Sequence, residues 1–191
     1  PGVSDPEEIE QAKTNGFQML KVSLPKKPYN AIEYNQYWNL ADELEMPVLF
    51  HTGIVTISNP TIFNDISSWN MHPMRLEPIT NRFPNLNLII AHMGVHWNED
   101  AAELARMRPN VYIDLTGEPN GWRRRLDQIG LKHFLWWKGA FRKLVFGTDV
   151  LASKVNQILT EDQKRYQQLR VSKEIQNLIF HGNIEKLLHN D

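Results

Sequence analysis

Short apolar segments alternate with helical segments along almost the whole chain, and this alternation constrains the fold more than any other feature. Hydrophobic spacing and turn residues predict five strands, at 17–24, 46–51, 86–92, 111–115 and 144–146. Helical patterns precede, separate and follow them, over 4–14, 31–45, 70–81, 98–106, 121–134 and 160–189. Strict alternation favours a parallel sheet covered by helices. We therefore expect one α/β domain over 1–191, with a long loop over 54–68.

Composition excludes several classes of function. The 191 residues carry 21 Lys and Arg against 22 Asp and Glu, so the sequence predicts no dense basic surface for nucleic acid. There is no cysteine, which excludes disulfides, thiolate metal sites and a cysteine nucleophile, and is typical of a reducing compartment such as the cytoplasm. No apolar run approaches the length of a membrane span, so no membrane partner is expected. The expected partner is a small-molecule substrate.

Three polar residues follow predicted strands at the point where each strand ends. His51 follows Val-Leu-Phe, His92 follows Ile-Ile-Ala, and Asp149 follows Phe-Gly-Thr. Alone, such a histidine is often only hydrogen-bonded, and such an aspartate often caps a helix. Because ligands bind at the carboxyl ends of parallel strands, we expect the three side chains to share one rim. Two imidazoles and one carboxylate suit Zn²⁺ or a similar divalent ion.

The motifs around these residues resemble those of the amidohydrolase superfamily. The resemblance is greatest to its amidohydrolase-2 branch, which includes the aminocarboxymuconate-semialdehyde decarboxylase-like enzymes. The similar segments are HTG at 51–53, RFPNLNLIIAHMG at 82–94, VYIDLTG at 111–117, FGTD at 146–149 and GNIEKLL at 182–188. This resemblance implies a (β/α)₈ TIM barrel, in which the five predicted strands correspond to strands four to eight. The chain therefore looks like a partial barrel.

The resemblance also implies roles for individual residues. His51, His92 and Asp149 resemble the family's metal ligands, with Zn²⁺ as the expected ion and Mn²⁺ as the alternative. His92 and Asp149 resemble catalytic residues: His92 ligates metal or polarises a substrate carbonyl, and Asp149 orients or deprotonates the attacking water. The chain has no HxH motif, which the family carries after its first strand, so two expected ligands are missing.

Further polar residues have two readings each. His96, Trp97 and Glu118 lie on loops after the predicted strands, where they are predicted to bind substrate, with surface packing as the alternative. Lys21 is expected to be solvated or ion-paired rather than a bridging metal ligand. The arginine run at 123–125 is expected to form a solvated helix face, with recognition of a substrate carboxylate as the alternative.

Three functions follow from these observations. The first is a metal-dependent hydrolase that attacks a C–N or C–O bond of a small substrate and is incomplete in this chain. The second is a non-oxidative decarboxylase of a small unsaturated or aromatic carboxylic acid. The third is a non-catalytic barrel fragment that self-associates into a homo-oligomer. The missing HxH favours the third reading for the isolated chain, whereas the three rim residues favour an enzyme.

Overall fold

A five-stranded parallel sheet organises the structure, a computed structural model that describes residues 5–56, 61 and 64–189. The strands lie side by side in chain order: β1 Leu20–Val22, β2 Val48–Phe50, β3 Leu88–Ile90, β4 Val111–Asp114 and β5 Leu144–Val145. Every neighbouring pair is parallel. The predicted α/β class is confirmed, and the arrangement fits part of a TIM barrel. Each strand is shorter than predicted, because its flanking residues leave the ladder for the adjoining loops.

Helices separate the strands, as the alternation predicted. They are α1 Glu7–Thr14, α2 Asn35–Glu43, α3 Glu77–Arg82, α4 Asn98–Met107, α5 Trp122–Ile129, α6 Leu131–Phe134, α7 Val155–Gln168, α8 Lys173–Asn177 and α9 Asn183–His189. Short 3₁₀ turns lie at Ile32–Tyr34, Ser68–Met71, Pro73–Leu76, Ala140–Lys143 and Ala152–Lys154, and a π-helical turn at Leu178–Gly182. The segment Ala91–Gly94 is a turn with left-handed backbone at His92 and Met93. No helix within the described ranges is long and apolar enough to cross a membrane.

The two faces of the sheet pack differently. The main core lies between one face and the helices, and includes Val48, Phe50 and Ile90, which are completely buried. On the opposite face, Ile89 and Val145 form a smaller cluster with Leu187 of α9. Because side chains alternate along a strand, the first face carries the core and the second carries the residues that line a barrel interior. His51 shares the interior face with Leu49, two residues before it.

Two predicted helices are interrupted. The predicted helix over 70–81 is wrong in its first half, because His72 is extended with φ −63° and ψ 135°. The following proline disfavours helical geometry at that position. His72 instead caps the turn at Pro73–Leu76 by accepting a hydrogen bond from the Met74 amide on its Nδ1. The predicted helix over 121–134 divides at Gly130, whose φ of +100° is unsuited to other residues.

The C-terminal helical region also departs from expectation. Helix formation begins at Val155 rather than near residue 160, and a π-helical turn at Leu178–Gly182 lies directly before α9. Asn183 is the first residue of α9. Its side-chain amide donates to the carbonyls of Arg142 and Leu144, which fastens α9 to the start of β5. The predicted loop over 54–68 falls partly outside the described residues.

The arginine run corrects another expectation. Arg123 is 1% exposed, so the run is not a uniformly solvated face, although Arg124 and Arg125 are exposed. The Arg123 guanidinium pairs with Asp162 at 2.5 Å and also donates to the Leu115 carbonyl. Arg165 pairs with the same Asp162 carboxylate. This buried network joins α5 to α7, and Arg123 is therefore a structural residue.

Candidate functional site

His51, His92 and Asp149 lie together at the carboxyl ends of β2, β3 and β5. The Nδ1 atom of His51 is 3.1 Å from Nε2 of His92, and the two rings meet edge to face. The Oδ2 atom of Asp149 lies 3.8 Å from the same Nε2 atom, and its Oδ1 atom lies 3.5 Å from the Lys21 ammonium. His92 is 8% exposed, whereas Lys21 and Asp149 are about half exposed. The structure thus brings the predicted trio together.

Burial keeps His51 uncharged at neutral pH. It lowers the pKa of His51 to about 4, and the electrostatic effects of His92 and Lys21 act in the same direction, while Asp149 opposes them. A neutral imidazole has a free lone pair, which is the form that binds a metal ion. The Nε2 atom of His51 is buried and makes no hydrogen bond within the described part of the chain. The His51 ring is therefore uncharged at neutral pH, which is the form that can bind a metal ion.

Hydrogen bonds from two side-chain hydroxyls and one close backbone approach fix the positions of the two histidine loops. The Tyr29 hydroxyl donates to the His51 carbonyl at 2.8 Å, and the Thr52 hydroxyl donates to the Ala91 carbonyl at 2.6 Å. Gly53 has φ +107°, and a Cβ atom there would lie 2.0 Å from the Val95 carbonyl oxygen. Only glycine allows this approach, so the HTG motif is required for its backbone as well as its histidine.

The backbone at the site is strained. His92, Met93 and Asp149 have φ values of 57°, 48° and 49°, in the left-handed region that residues with a Cβ rarely occupy. Such residues cost about 1–3 kcal/mol each and cluster at functional sites, where the surrounding structure enforces them. Here the conformation turns the chain sharply after β3 and after β5. This turn brings two of the three polar side chains to the rim.

Two further residues, which the sequence interpretation missed, support His92 from β4 and the loop after it. Thr116 Oγ1 lies 2.7 Å from His92 Nδ1 and 2.7 Å from Asp114 Oδ1. Asp114 also accepts a hydrogen bond from the His92 backbone amide at 2.7 Å. The signal was present, because Asp114 and Thr116 also lie at the carboxyl end of a strand.

The three predicted substrate-binding residues do not contact the histidine pair. Trp97 packs against His72, with ring centroids 4.5 Å apart, and against Trp69 at 5.9 Å. Glu118 forms an exposed ion pair with Lys154 at 2.7 Å, and His96 is exposed. The structure therefore does not bring these three residues onto the histidine pair. Their binding of substrate stays a prediction.

The spacing of the two histidines fits a divalent ion, but the pair supplies only part of the ligands that such an ion needs. Two nitrogens bound to one Zn²⁺ at about 2.0–2.1 Å each lie about 3 Å apart, which the 3.1 Å separation matches. Among the residues that the structure describes, no group of three or more His, Asp or Glu side chains is arranged to hold a metal ion. Asp149 is adjacent to the pair but turned toward Lys21. The chain thus supplies two preformed ligands and a nearby carboxylate.

Comparison with known proteins shows the family of the chain. A sequence model of the amidohydrolase family matches residues 4–189. The chain belongs to the amidohydrolase family. The resemblance inferred from the motifs is thereby confirmed over nearly the whole chain. Protein fluG of Emericella nidulans is 26% identical over 119 residues, which cover 58% of this chain and 13% of that protein.

Solved structures share the fold. A TIM-barrel protein from Bordetella bronchiseptica aligns with 97% of this chain at 18% identity and a TM-score of 0.70, and 63% of its length is covered. A probable 2-pyrone-4,6-dicarboxylic acid hydrolase from Acinetobacter baumannii aligns with 97% at 18% identity and a TM-score of 0.63, covering 69% of that protein. A dihydroxybenzoic acid decarboxylase from Polaromonas sp. JS666 with bound manganese aligns with 96% at 16% identity and a TM-score of 0.62, covering 64%. The chain thus spans about two thirds of the length of these structures.

Proposed function

We propose that this chain forms the metal-binding rim of a metal-dependent hydrolase that acts on a C–N or C–O bond of a small substrate. The observation that carries the proposal is the preformed pair of His51 and His92, whose facing nitrogens are 3.1 Å apart. The family match supports the same chemistry. The remaining ligands would come from residues outside this chain, where the family has its HxH motif. We propose Zn²⁺ as the ion and Mn²⁺ as the alternative.

Each residue of the trio has a distinct part in the proposed reaction. A divalent ion at the pair would supply Lewis acidity, which activates water for attack at neutral pH. His51 and His92 would hold and orient that ion through their facing ring nitrogens. Asp149, about half exposed and 3.8 Å from His92, is placed to accept the proton that the attacking water loses. The same carboxylate can then return the proton to the leaving group.

Decarboxylation is the second candidate, and Lys21 favours it. The Lys21 ammonium reaches Asp149 from β1 and is about half exposed, so it offers a cation to a substrate carboxylate beside the histidine pair. A decarboxylase among the structural neighbours fits this reading. The two reactions would use the same residues to bind the ion. They differ in the substrate and in the bond that is broken. A substrate panel therefore separates them.

A non-catalytic, self-associating fragment is the competing class. Among the described strands, β1 and β5 each pair with one neighbour only, so each leaves an edge open to another chain. Sedimentation velocity on the isolated chain tests this alternative directly. A concentration-dependent dimer without metal binding in any length of the protein would support it against the enzyme.

The test of the proposed function compares this chain with the complete open reading frame that encodes it. Both are assayed with added Zn²⁺ or Mn²⁺ on lactones, amides and aromatic carboxylic acids, and their metal content is measured after dialysis. We expect activity and retained metal in a protein that carries the HxH segment, and background rates in this chain. His51→Ala and His92→Ala should abolish both properties. Metal and activity that survive both substitutions would overturn the assignment.

A further inference from the structure

A chain of hydrogen bonds runs behind His92, on the side away from His51. Asp114 Oδ1 lies 2.7 Å from Thr116 Oγ1, which in turn lies 2.7 Å from His92 Nδ1. The three residues are 3%, 6% and 8% exposed. Because they are buried, water does not compete for these contacts, and the direction of each hydrogen bond is set by the groups themselves.

The direction of the first bond follows from the other donors around Asp114. Its Oδ1 atom also accepts hydrogen bonds from the backbone amides of His92 at 2.7 Å and Thr116 at 3.0 Å. An oxygen that meets two N–H donors is an acceptor, so the Thr116 hydroxyl donates its single proton to it. Toward His92, the hydroxyl then presents only lone pairs.

The second bond must therefore be donated by the imidazole. His92 Nδ1 faces the lone pairs of Thr116 Oγ1 at 2.7 Å and the Thr116 carbonyl at 3.2 Å, and a carbonyl is also only an acceptor. The indole of Trp122 donates to that same carbonyl at 3.0 Å and fixes its position. Both acceptors require the proton on Nδ1, and a neutral imidazole carries only one.

We propose that Thr116, oriented by Asp114, is a positioning residue that holds an imidazole proton of His92 on Nδ1 and so leaves Nε2 to present the lone pair. That lone pair faces the His51 ring and the Asp149 carboxylate, where a divalent cation would bind. In metal sites, such outer hydrogen bonds fix ring orientation and tautomer. The cation rests on the proposed function, whereas the tautomer rests on the hydrogen bonds alone.

The test uses the metal-free chain and a pair of isosteric variants. Two-bond ¹H–¹⁵N correlation of the histidine rings at one neutral pH reports which nitrogen of His92 carries the proton. Thr116→Val keeps the side-chain shape but removes the hydroxyl, and Thr116→Ser keeps the hydroxyl. We expect the Nδ1–H tautomer in the native chain and in Thr116→Ser, and a mixture of tautomers in Thr116→Val.

A titration with Zn²⁺ supplies a second readout. Loss of an outer hydrogen bond to a ligand weakens metal affinity by about 10–100-fold, so Thr116→Val should bind Zn²⁺ more weakly by that factor and Thr116→Ser should recover. A native His92 protonated on Nε2 overturns the proposal. So does a Thr116→Val chain with unchanged tautomer and unchanged affinity. If the tautomer is as expected but no length of the protein binds metal, the proposed function fails and the positioning role stands.

Discussion

The Nδ1 atom of His51 and the Nε2 atom of His92 lie 3.1 Å apart, although 41 residues separate them in the chain. Parallel pairing of β2 with β3 brings the two loops together, and the Gly53 approach to Val95 closes the gap between them. The facing nitrogens follow from this strand pairing and this close backbone approach. This relationship is the basis of the functional proposal.

Gly53→Ala should separate the two histidine loops. Its new methyl would lie 2.0 Å from the Val95 carbonyl oxygen, in addition to the cost of a left-handed conformation. Gly139→Ala is the matched control, because Gly139 has φ +82° but nothing within 4 Å of the added atom. In urea unfolding, the control should lose about 1–2 kcal/mol and Gly53→Ala clearly more. Equal losses would show that the close approach does not matter.

Arg123→Met should destabilise the fold strongly. It leaves Asp162, which is 2% exposed, without one of its two arginine partners. Breaking a buried ion pair costs about 3–5 kcal/mol. Burial already raises the pKa of Asp162 and Arg123 lowers it, so that pKa should rise further in the variant. Arg124→Met, on the exposed side of the same helix, should change stability by less than about 0.5 kcal/mol. Similar effects from both substitutions would contradict the buried network.

Stability should fall as the pH is lowered below about 6.5. Burial lowers the pKa of His72 from 6.5, assisted by Arg75 and opposed by Asp100. In this range the unfolded chain takes up protons that the folded chain resists, so the free energy of unfolding decreases. His51 adds an effect of the same sign between 6.5 and about 4. Urea unfolding at several pH values should show a smaller decrease in His72→Gln than in the native chain. An identical pH dependence would exclude the His72 contribution.

Lys21→Met should have a small effect on stability. Its 3.5 Å ion pair with Asp149 is about half exposed on both sides, and such pairs contribute less than about 1 kcal/mol. In an active full-length protein, hydrolysis of an uncharged lactone should be nearly unchanged. Asp149→Asn should lower kcat by about 10²–10⁴-fold, the range for a lost acid–base group. A loss from Lys21→Met as large as that from Asp149→Asn would instead indicate a bridging lysine and a two-metal site.

The sequence was sufficient for the sheet and for the rim trio, because both depend on local patterns. Short apolar segments bounded by turn residues predicted β1 to β5. The polar residues directly after those segments then marked the carboxyl ends of the strands. The Arg123 network could not be predicted in the same way, because its partner Asp162 lies 39 residues away and burial depends on how α5 meets α7. The contacts of Asn183 could not be predicted for the same reason: its partners Arg142 and Leu144 are 41 and 39 residues earlier.

The support of His92 by Thr116 and Asp114 could be predicted only in part. Both residues follow a recognisable strand, so their position at the rim could be predicted. Their hydrogen bonds to His92 depend on the left-handed turn at that residue, with φ 57°, which no propensity signals for a histidine. The position of the rim histidines could therefore be predicted from sequence, whereas the contacts that support them required the structure.

The most direct test of the central claim is an NMR titration of the native chain with substoichiometric Mn²⁺, which broadens signals close to the ion. We predict that the ring signals of His51 and His92 broaden together, and that His51→Ala removes the broadening at His92. His133 and His181 are exposed beside Glu99 and Glu185 and serve as internal controls for weak surface binding. Broadening confined to those controls, with His51 and His92 unaffected, would contradict the assignment of the pair as ligands of one ion.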